Sequence, residues 1–376
     1  MLKSIKVMKK SVQKKIIIVF NSLNIGGIET KIVDICSYYS QNSSTKVFLL
    51  LKNRQGPLLD YIPQNIHIIS PKITSIFKFK TIMFPFWLST IFKTINPNLI
   101  ISFGNYSSIC TVIGKLFSQS KSKIIISEDS SIDQQIKMDK FSFIRKILIK
   151  LTYPLAEKII TLSLSGKNKL ISIIPAIRNK IVIRENWLPL KFTQNKLKKE
   201  LKRDIDILFL GRFEPQKNPL KFIEIIKHIT KELPNLKTVM VGDGSLKKQI
   251  IKYIAKNNLQ KNIIIKSSTT NNIKYFKKSR IFLLTSIHEG FPLTILEASA
   301  TSTIAVCNNL PEIKTYFKYQ SKLLLFRSTK NASKNILFLL KNTKTSSKIS
   351  NYYKNLVFKN QHLFFYKTIK EFQNLL

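Results

Sequence analysis

One pattern occurs twice in this chain and restricts its fold more than any other feature: an apolar strand, a glycine turn, then an amphipathic helix. The first copy is KKIIIVFNSLNIGGIETKIVDICSYYS at 14–40, turning at Gly26-Gly27, and the second is DIDILFLGRFEPQKNPLKFIEIIKHI at 204–229, turning at Gly211. Behind the first follow the short apolar runs KVFLLL (46–51), NIHIIS (65–70), NLIISFG (98–104), KIIISED (123–129), AEKIITLS (156–163) and NKIVIREN (179–186). Behind the second follow LKTVMVGDGSLKKQI (236–250), NIIIKSS (262–268), SRIFLLTS (279–286) and TIAVCNN (303–309). Strands alternating with helices predict parallel sheets covered on both faces. A chain of 376 residues is too long for one core and suits two domains of about 150–190 residues each. PLKFTQNKLKKELKR at 189–203 is polar and basic and reads as the connection. The expected division is residues 1–190, a linker at 191–203, and residues 204–376. The stretch 346–376 is helical and amphipathic.

The chemistry concentrates in IFLLTSIHEGFPLTILEASA at 281–300, where Glu289 and Glu297 stand eight positions apart around Gly290-Phe291-Pro292. An apolar strand precedes the turn, and a helix including Leu293 follows it. Proline suits a first helical position, because its missing N–H would be unpaired there. Glycine lets a ligand approach the backbone. The exposed N–H groups and the helix dipole make an anion site. Glu297 lies five residues past Pro292, or about 7.5 Å along the helix axis at a rise of ~1.5 Å per residue. That offset matches a diphosphate and its ribose, whose vicinal hydroxyls Glu297 is placed to accept; Glu289 is placed similarly for hydroxyls of a sugar.

GRFEPQKNP at 211–219 puts Arg212 and Lys217 just past a strand end, where open α/β sheets bind ligands. Two cations there answer the charge that develops on a departing diphosphate. Gly242 and Gly244 in VGDGS occupy another strand-to-helix turn. Gly26, Gly27 and Glu29 form the corresponding turn of the first half, and Glu128 and Asp129 end a strand in ISEDSSID. Asp204-Ile205-Asp206 starts a strand instead of ending one, which is the wrong edge of the sheet for a metal-binding D-x-D.

These elements resemble retaining glycosyltransferases with the GT-B fold, especially glycosyltransferase family 4. EGFPLTILEA resembles the family's E-x7-E element, Gly211-Arg212 with Lys217 its G-R-x5-K phosphate pair, VGDGS its V-G-D-G-P turn, and NIGGIET its G-G-x-E turn. The resemblance runs from about residue 16 to 325 and is stronger in the second half. It implies two Rossmann-like α/β/α domains facing across a cleft, with the last helix (about 355–376) crossing back to the first domain. It implies a hexosyltransferase that moves a sugar from a nucleotide-sugar to a glycan or lipid-linked acceptor in surface polysaccharide or lipopolysaccharide synthesis, without a bound metal or cofactor. Glu289, Arg212 and Lys217 then carry catalysis. Glu297, Gly290, Phe291, Pro292, Leu293, Gly211, Gly242 and Gly244 bind the donor, while Gly26, Gly27, Glu29, Glu128 and Asp129 face the acceptor side. The sequence departs from the family at Ser302 (usually Gly), at Ile304 (usually Pro), at Ser267-Ser268 and in lacking a histidine at the first-domain site. Those departures keep a degenerate binding subunit as the alternative, beside a GT-B nucleotide-sugar epimerase. Glu312 matches a further acid of the family and is expected to hold the loop near the cleft.

Composition adds location. The net charge of +43 comes from 63 Lys and Arg against 20 Asp and Glu, spread evenly among Ile and Asn. No nucleic-acid motif accompanies it, and codon bias accounts for much of it. The charge still favours anionic phospholipid. TIMFPFWLSTIF at 81–92 contains Pro85 and is flanked by lysines, and it falls short of the ~20 residues a spanning helix needs. IIIVF is too short for a secretory signal core and reads as the first strand. Cys36, Cys110 and Cys307 form neither a zinc spacing nor a disulfide framework. The expected place is the cytoplasm, with the inner face of the plasma membrane as a peripheral site; the basic-aromatic stretches 71–93 and 141–153 read first as core-packing helices, and alternatively as a face that docks on anionic lipid.

Overall fold

The computed structural model describes residues 13–72, 77–129, 142–192 and 201–376. Most of the linker stretch, and the basic segment before residue 13, lie outside these residues.

Seven strands build the first sheet: β1 (Lys14–Phe20), β2 (Thr45–Leu51), β3 (His67–Ile69), β4 (Leu99–Phe103), β5 (Lys123–Glu128), β6 (Lys158–Thr161) and β7 (Ile181–Ile183). Their order is β3-β2-β1-β4-β5-β6-β7 and every pairing is parallel. Covering helices are α1 (Gly27–Ser40), α2 (Phe77–Ile95), α3 (Asn105–Ser118), α4 (Ser142–Thr152) and α5 (Leu164–Ile173). The continuous apolar runs of the sequence are explained by two-sided cover. In β1, Ile16 and Ile18 face one core and Ile17 and Val19 the other, all fully enclosed.

The second sheet comprises β8 (Ile205–Leu210), β9 (Thr238–Val241), β10 (Ile263–Lys266), β11 (Ser279–Leu284), β12 (Ile304–Asn308) and β13 (Leu325–Phe326). Its order, β10-β9-β8-β11-β12-β13, is the doubly wound arrangement again, also all parallel. Around it lie α6 (Pro219–Thr230), α7 (Lys247–Lys256), α8 (Ile273–Lys278), α9 (Leu293–Ala300), α10 (Pro311–Lys314), α11 (Ser321–Leu324) and α12 (Thr329–Lys341). Asp204 and Asp206 sit at the starting edge of β8, paired with Lys278 and Arg280, far from the strand ends that matter below.

The last helix, α13 (Thr343–Gln373), joins the two halves. Ile349, Tyr353 and Val357 belong to the core of the second sheet, whereas Phe365, Ile369 and Phe372 enter the core of the first. Near its end Glu371 pairs with Lys158 at 2.6 Å and with Arg184. This is the return crossing that the family resemblance implies. Pro85 lies inside α2, whose Phe84, Leu88 and Phe92 are core residues. Among the described residues no helix is long and apolar enough to cross a membrane.

Candidate active site

In each sheet the strand order reverses once, between β1 and β4 and between β8 and β11. At such a reversal the loops diverge to opposite faces and leave a crevice beyond the strand ends, where ligands bind. The two crevices face each other and merge into one cleft of about 1090 Å³ lined by both domains.

On the second-domain side two loops are tied together. The Ile287 N–H donates to the Gln216 carbonyl at 2.8 Å, and Gln216 Nε2 donates to the His288 carbonyl at 3.2 Å. Thr285 Oγ1 donates to the carbonyls of Lys217 and Asn218 at 2.9 and 3.0 Å. The loop after β11 is thereby fixed on the loop after β8, and Lys217 Nζ stands 2.5 Å from Glu289 Oε1. Arg212 Nη2 donates to Gln216 Oε1 at 3.2 Å, with the rest of its guanidinium toward solvent. Gly211, Arg212, Lys217 and Glu289, read separately in the sequence, therefore meet on one wall.

Pro292 is one position earlier than expected: it caps α9, and Leu293 is the first helical residue. No side chain caps that end, so the leading N–H groups of α9 face the cleft, beside the Gly290–Phe291 turn. Glu297 is buried and accepts from Asn272 Nδ2 at 2.7 Å, which excludes a surface helix acid. Burial raises its pKa above the ordinary carboxylate value, opposed by the Lys191 charge and the Asn272 bond.

The other glycines divide by role. A Cβ on Gly242 would fall 2.0 Å from the Gly211 carbonyl oxygen, so that glycine is demanded by packing between two loops although it borders the cleft. Gly244 has φ +154 and serves turn geometry; it is not among the residues lining the cleft, which corrects its expected donor contact. Ser302, where the resemblance has glycine, has φ +57. It ends α9 with the Thr303 N–H reaching back to the Ala298 carbonyl at 2.8 Å. The left-handed position is kept, at a cost of about 1 kcal/mol for a residue with a Cβ.

From the first domain, Gly26, Gly27 and Glu29 all line the cleft. The Glu29 carboxylate folds back beneath Gly26, where a Cβ would lie 2.2 Å from its Oε2. Desolvation pushes the Glu29 pKa up to about 7, against the pull of its own backbone N–H and of Arg212 across the cleft. Asp129 lines the cleft, paired with Lys31 at 2.7 Å. Glu128 does not: it is buried and accepts from the Tyr153 hydroxyl at 2.6 Å, because successive residues of a strand point to opposite faces. Glu312 bridges the domains, accepting from Lys169 Nζ at 2.7 Å and Ser165 Oγ at 3.1 Å.

Lys31, Asn186, Lys191 and Asn272 are among the cleft residues that have no sequence motif behind them. Asn186 Nδ2 donates to the Phe291 carbonyl at 2.6 Å, and Lys191 Nζ to the Thr270 carbonyl at 3.1 Å. Only the position of Asn272, between a strand end and the next helix, offered a signal. Among the described residues no group of three or more His, Cys, Asp or Glu could hold a metal ion.

Comparison with known proteins is consistent with this geometry. Residues 191–356 match the family described as Glycosyl transferases group 1. The chain is 26% identical over 250 residues to an uncharacterised glycosyltransferase of Methanocaldococcus jannaschii, covering 63% of this chain and 60% of that protein. It is 27% identical over 307 residues to the N-acetylgalactosamine-N,N'-diacetylbacillosaminyl-diphospho-undecaprenol 4-alpha-N-acetylgalactosaminyltransferase of Campylobacter jejuni, covering 79% and 81% of the two chains. Among solved structures, Anabaena HepE with UDP and glucose matches at a TM-score of 0.79 and 13% identity, over 96% of this chain and 100% of that one. The fold is therefore GT-B.

Proposed function

We propose that the protein is a retaining glycosyltransferase that moves a hexosyl group from a nucleotide-sugar to a lipid-linked glycan acceptor. The observation that carries the reading is the second-domain wall, where a helix start and two cations converge beside a buried carboxylate one turn further on. The donor's diphosphate lies against the N–H groups leading α9, with Arg212 and Lys217 meeting the charge that develops as the sugar leaves. Glu297 accepts from the ribose hydroxyls, and Asn272 holds it in place. Glu289 accepts from the sugar. The acceptor hydroxyl comes from the first domain on the face the diphosphate leaves, and a phosphate oxygen takes its proton. Charge stabilisation by side chains and helix is sufficient for this scheme, so no bound metal or further cofactor is part of it.

The acceptor class is supported by the named substrate of the Campylobacter relative and by the outer surface of the first domain. On α4, Phe143, Ile144, Ile147 and Leu151 are 74, 54, 40 and 65% exposed, with Lys146 and Lys150 between them. Ile82 and Phe86 on α2 and Leu116 and Phe117 on α3 extend the patch, the Phe86 and Phe117 rings 5.0 Å apart. Arg145 of the same helix lines the cleft. An apolar stripe edged by lysines suits the surface of an anionic bilayer, and such docking brings the cleft mouth to lipid headgroups at the inner face of the plasma membrane, in surface-glycan synthesis.

The test is thermal stabilisation by nucleoside diphosphates and nucleotide-sugars, followed by transfer with the stabilising donor. Glu297→Ala is expected to lose the nucleotide shift. Glu289→Ala and Lys217→Ala are expected to lose most turnover while remaining folded. Full turnover in both, or the same shift in Glu297→Ala, refutes the assignment.

A further inference from the structure

Asp129 and Lys31 form an ion pair that the fold does not require. Their side chains are 3 and 4% exposed, and Asp129 Oδ1 accepts from Lys31 Nζ at 2.7 Å and from Ser127 Oγ at 3.2 Å. A pair so enclosed contributes little net stability, because desolvation of both charges offsets their attraction, and apolar residues of equal volume would serve packing as well or better. The other carboxylate oxygen, Oδ2, is buried and has no hydrogen-bond partner among the described residues. Both residues line the cleft.

Asn186 repeats the situation. Its Nδ2 donates to the Phe291 carbonyl at 2.6 Å, which fixes the orientation of the amide and makes Oδ1 the acceptor. That Oδ1 is also buried and partnerless among the described residues. The two acceptors straddle one turn. Asn186 grips Phe291, and the Asp129 carbonyl abuts Gly290 so closely that a Cβ there would be 2.1 Å away. Glu289, a third acceptor, immediately precedes that turn. Buried polar atoms are nearly always satisfied, so Asp129 Oδ2 and Asn186 Oδ1 are places for a ligand's donors. A carboxylate repels phosphate; the diphosphate belongs on the opposite side, at Arg212 and the start of α9. What fits between Glu289, Asp129 and Asn186 is neutral and rich in O–H or N–H groups.

We propose that Asp129, positioned by Lys31, reads a hydroxyl or N–H of the donor's sugar, with Asn186 as its companion acceptor. This rests on the donor site described above and assigns sugar selection in part to the first domain. Lys31 is a positioning residue: its ammonium holds Oδ1, and the Trp187 ring, 5.1 Å from it, closes the other side.

The experiment is calorimetric titration of the full chain with UDP and, in turn, with UDP-glucose, UDP-galactose and UDP-N-acetylglucosamine. Wild type is compared with the charge-neutral double variant Lys31→Met/Asp129→Asn and with Asn186→Ala, which leaves the ion pair intact if the double variant does not fold. The expected result is a UDP affinity within twofold of wild type in the variants. The preferred nucleotide-sugar should lose about ten- to a hundredfold, the scale of a hydrogen bond to a charged or buried partner. Uniform weakening of UDP and nucleotide-sugar alike would mean a merely structural role and overturn the proposal. So would an unchanged preference for the sugar. If wild type binds neither UDP nor any of the three nucleotide-sugars, the donor reading itself falls and the proposal with it.

Discussion

Gly290→Ala tests the cleft with a single methyl group. Gly290 does not occupy the left-handed region, so alanine fits its backbone and the second-domain core is untouched. Yet the added Cβ would stand 2.1 Å from the Asp129 carbonyl oxygen, 2.9 Å from its carbon and 3.1 Å from Leu162 Cδ1. Real Cβ atoms stay beyond 3.0 Å of such neighbours, so moving from 2.1 to 3.0 Å requires the turn and the first domain to part by about 0.9 Å. Two of those three atoms are backbone and cannot rotate away. Misplacement of reacting groups by ~1 Å costs about a hundredfold in rate. The loss should fall on transfer, because Glu289 and the helix start are on the displaced side and the acceptor on the other. UDP, bound by the second domain alone, should keep its affinity, and the melting temperature should change little. The assay is kcat for transfer beside UDP affinity and thermal midpoint. A Gly290→Ala enzyme with kcat within threefold of wild type and unchanged UDP binding would refute the idea that this contact sets the catalytic geometry.

Two further outcomes follow from the same structure. Glu29 has its pKa raised from 4.5 to about 7 by desolvation, so the folded state holds that proton more tightly than the unfolded chain. Its stabilising contribution is complete below pH 4.5 and is lost as pH rises through about 7; the 2.5-unit gap corresponds to at most about 3 kcal/mol, less after solvent screening, since the residue is part-exposed. Urea unfolding from pH 4 to 8 should show Glu29→Gln with a flatter decline than wild type, and identical profiles would contradict the desolvation account. On the outer face, Phe143→Glu with Leu151→Glu should weaken flotation with phosphatidylglycerol vesicles about tenfold or more, each substitution removing an apolar side chain worth ~1 kcal/mol or more on insertion. Wild type that ignores those vesicles at moderate salt, or binds phosphatidylcholine equally well, would remove the membrane from the proposal.

The parallel sheets were legible because two-sided burial writes itself as unbroken apolar runs, as in the Ile16–Val19 stretch of β1. The meeting of Arg212, Lys217, Glu289 and Glu297 was legible for a related reason: each sits a short, fixed distance past a strand end, and the topology returns those ends to one edge. What escaped was contact between segments far apart in the chain, within a domain and across the cleft. Nothing near Lys31 in the sequence says that Asp129, 98 positions on, will share its proton donors. Likewise, Gly290 looks like room for a phosphate until the Asp129 carbonyl is found against it. The error at Glu128 has a simpler origin. Two adjacent acids at a strand end cannot both face the cleft, and deciding which one does requires the register of β5, which places Glu128 toward Tyr153.

The charge imbalance turns out to help in reading the site. With 63 bases to 20 acids, a lysine at a given place carries little information and a carboxylate carries much. Burial shows the same asymmetry: among the described residues seven acids are buried (Asp34, Glu128, Asp129, Glu289, Glu297, Glu312 and Glu371), but only two bases, Lys31 and Lys52. Excess positive charge on the surface is solvated and screened, so it can accumulate at small cost to the fold. A buried carboxylate costs desolvation wherever it is placed, so each needs a partner to offset it. Glu312 has Lys169 and Glu371 has Lys158 and Arg184, which join the domains and the last helix; within the first domain Asp34 has the Trp187 indole N–H at 2.8 Å and Glu128 the Tyr153 hydroxyl at 2.6 Å. Asp129, Glu289 and Glu297 have Lys31, Lys217 and Asn272, but these three carboxylates all line one cleft, and Asp129 Oδ2 has no partner among the described residues. An acid-poor chain that places three buried carboxylates around one cavity is built to take hydrogen-bond donors there, and this would hold with every surface lysine replaced.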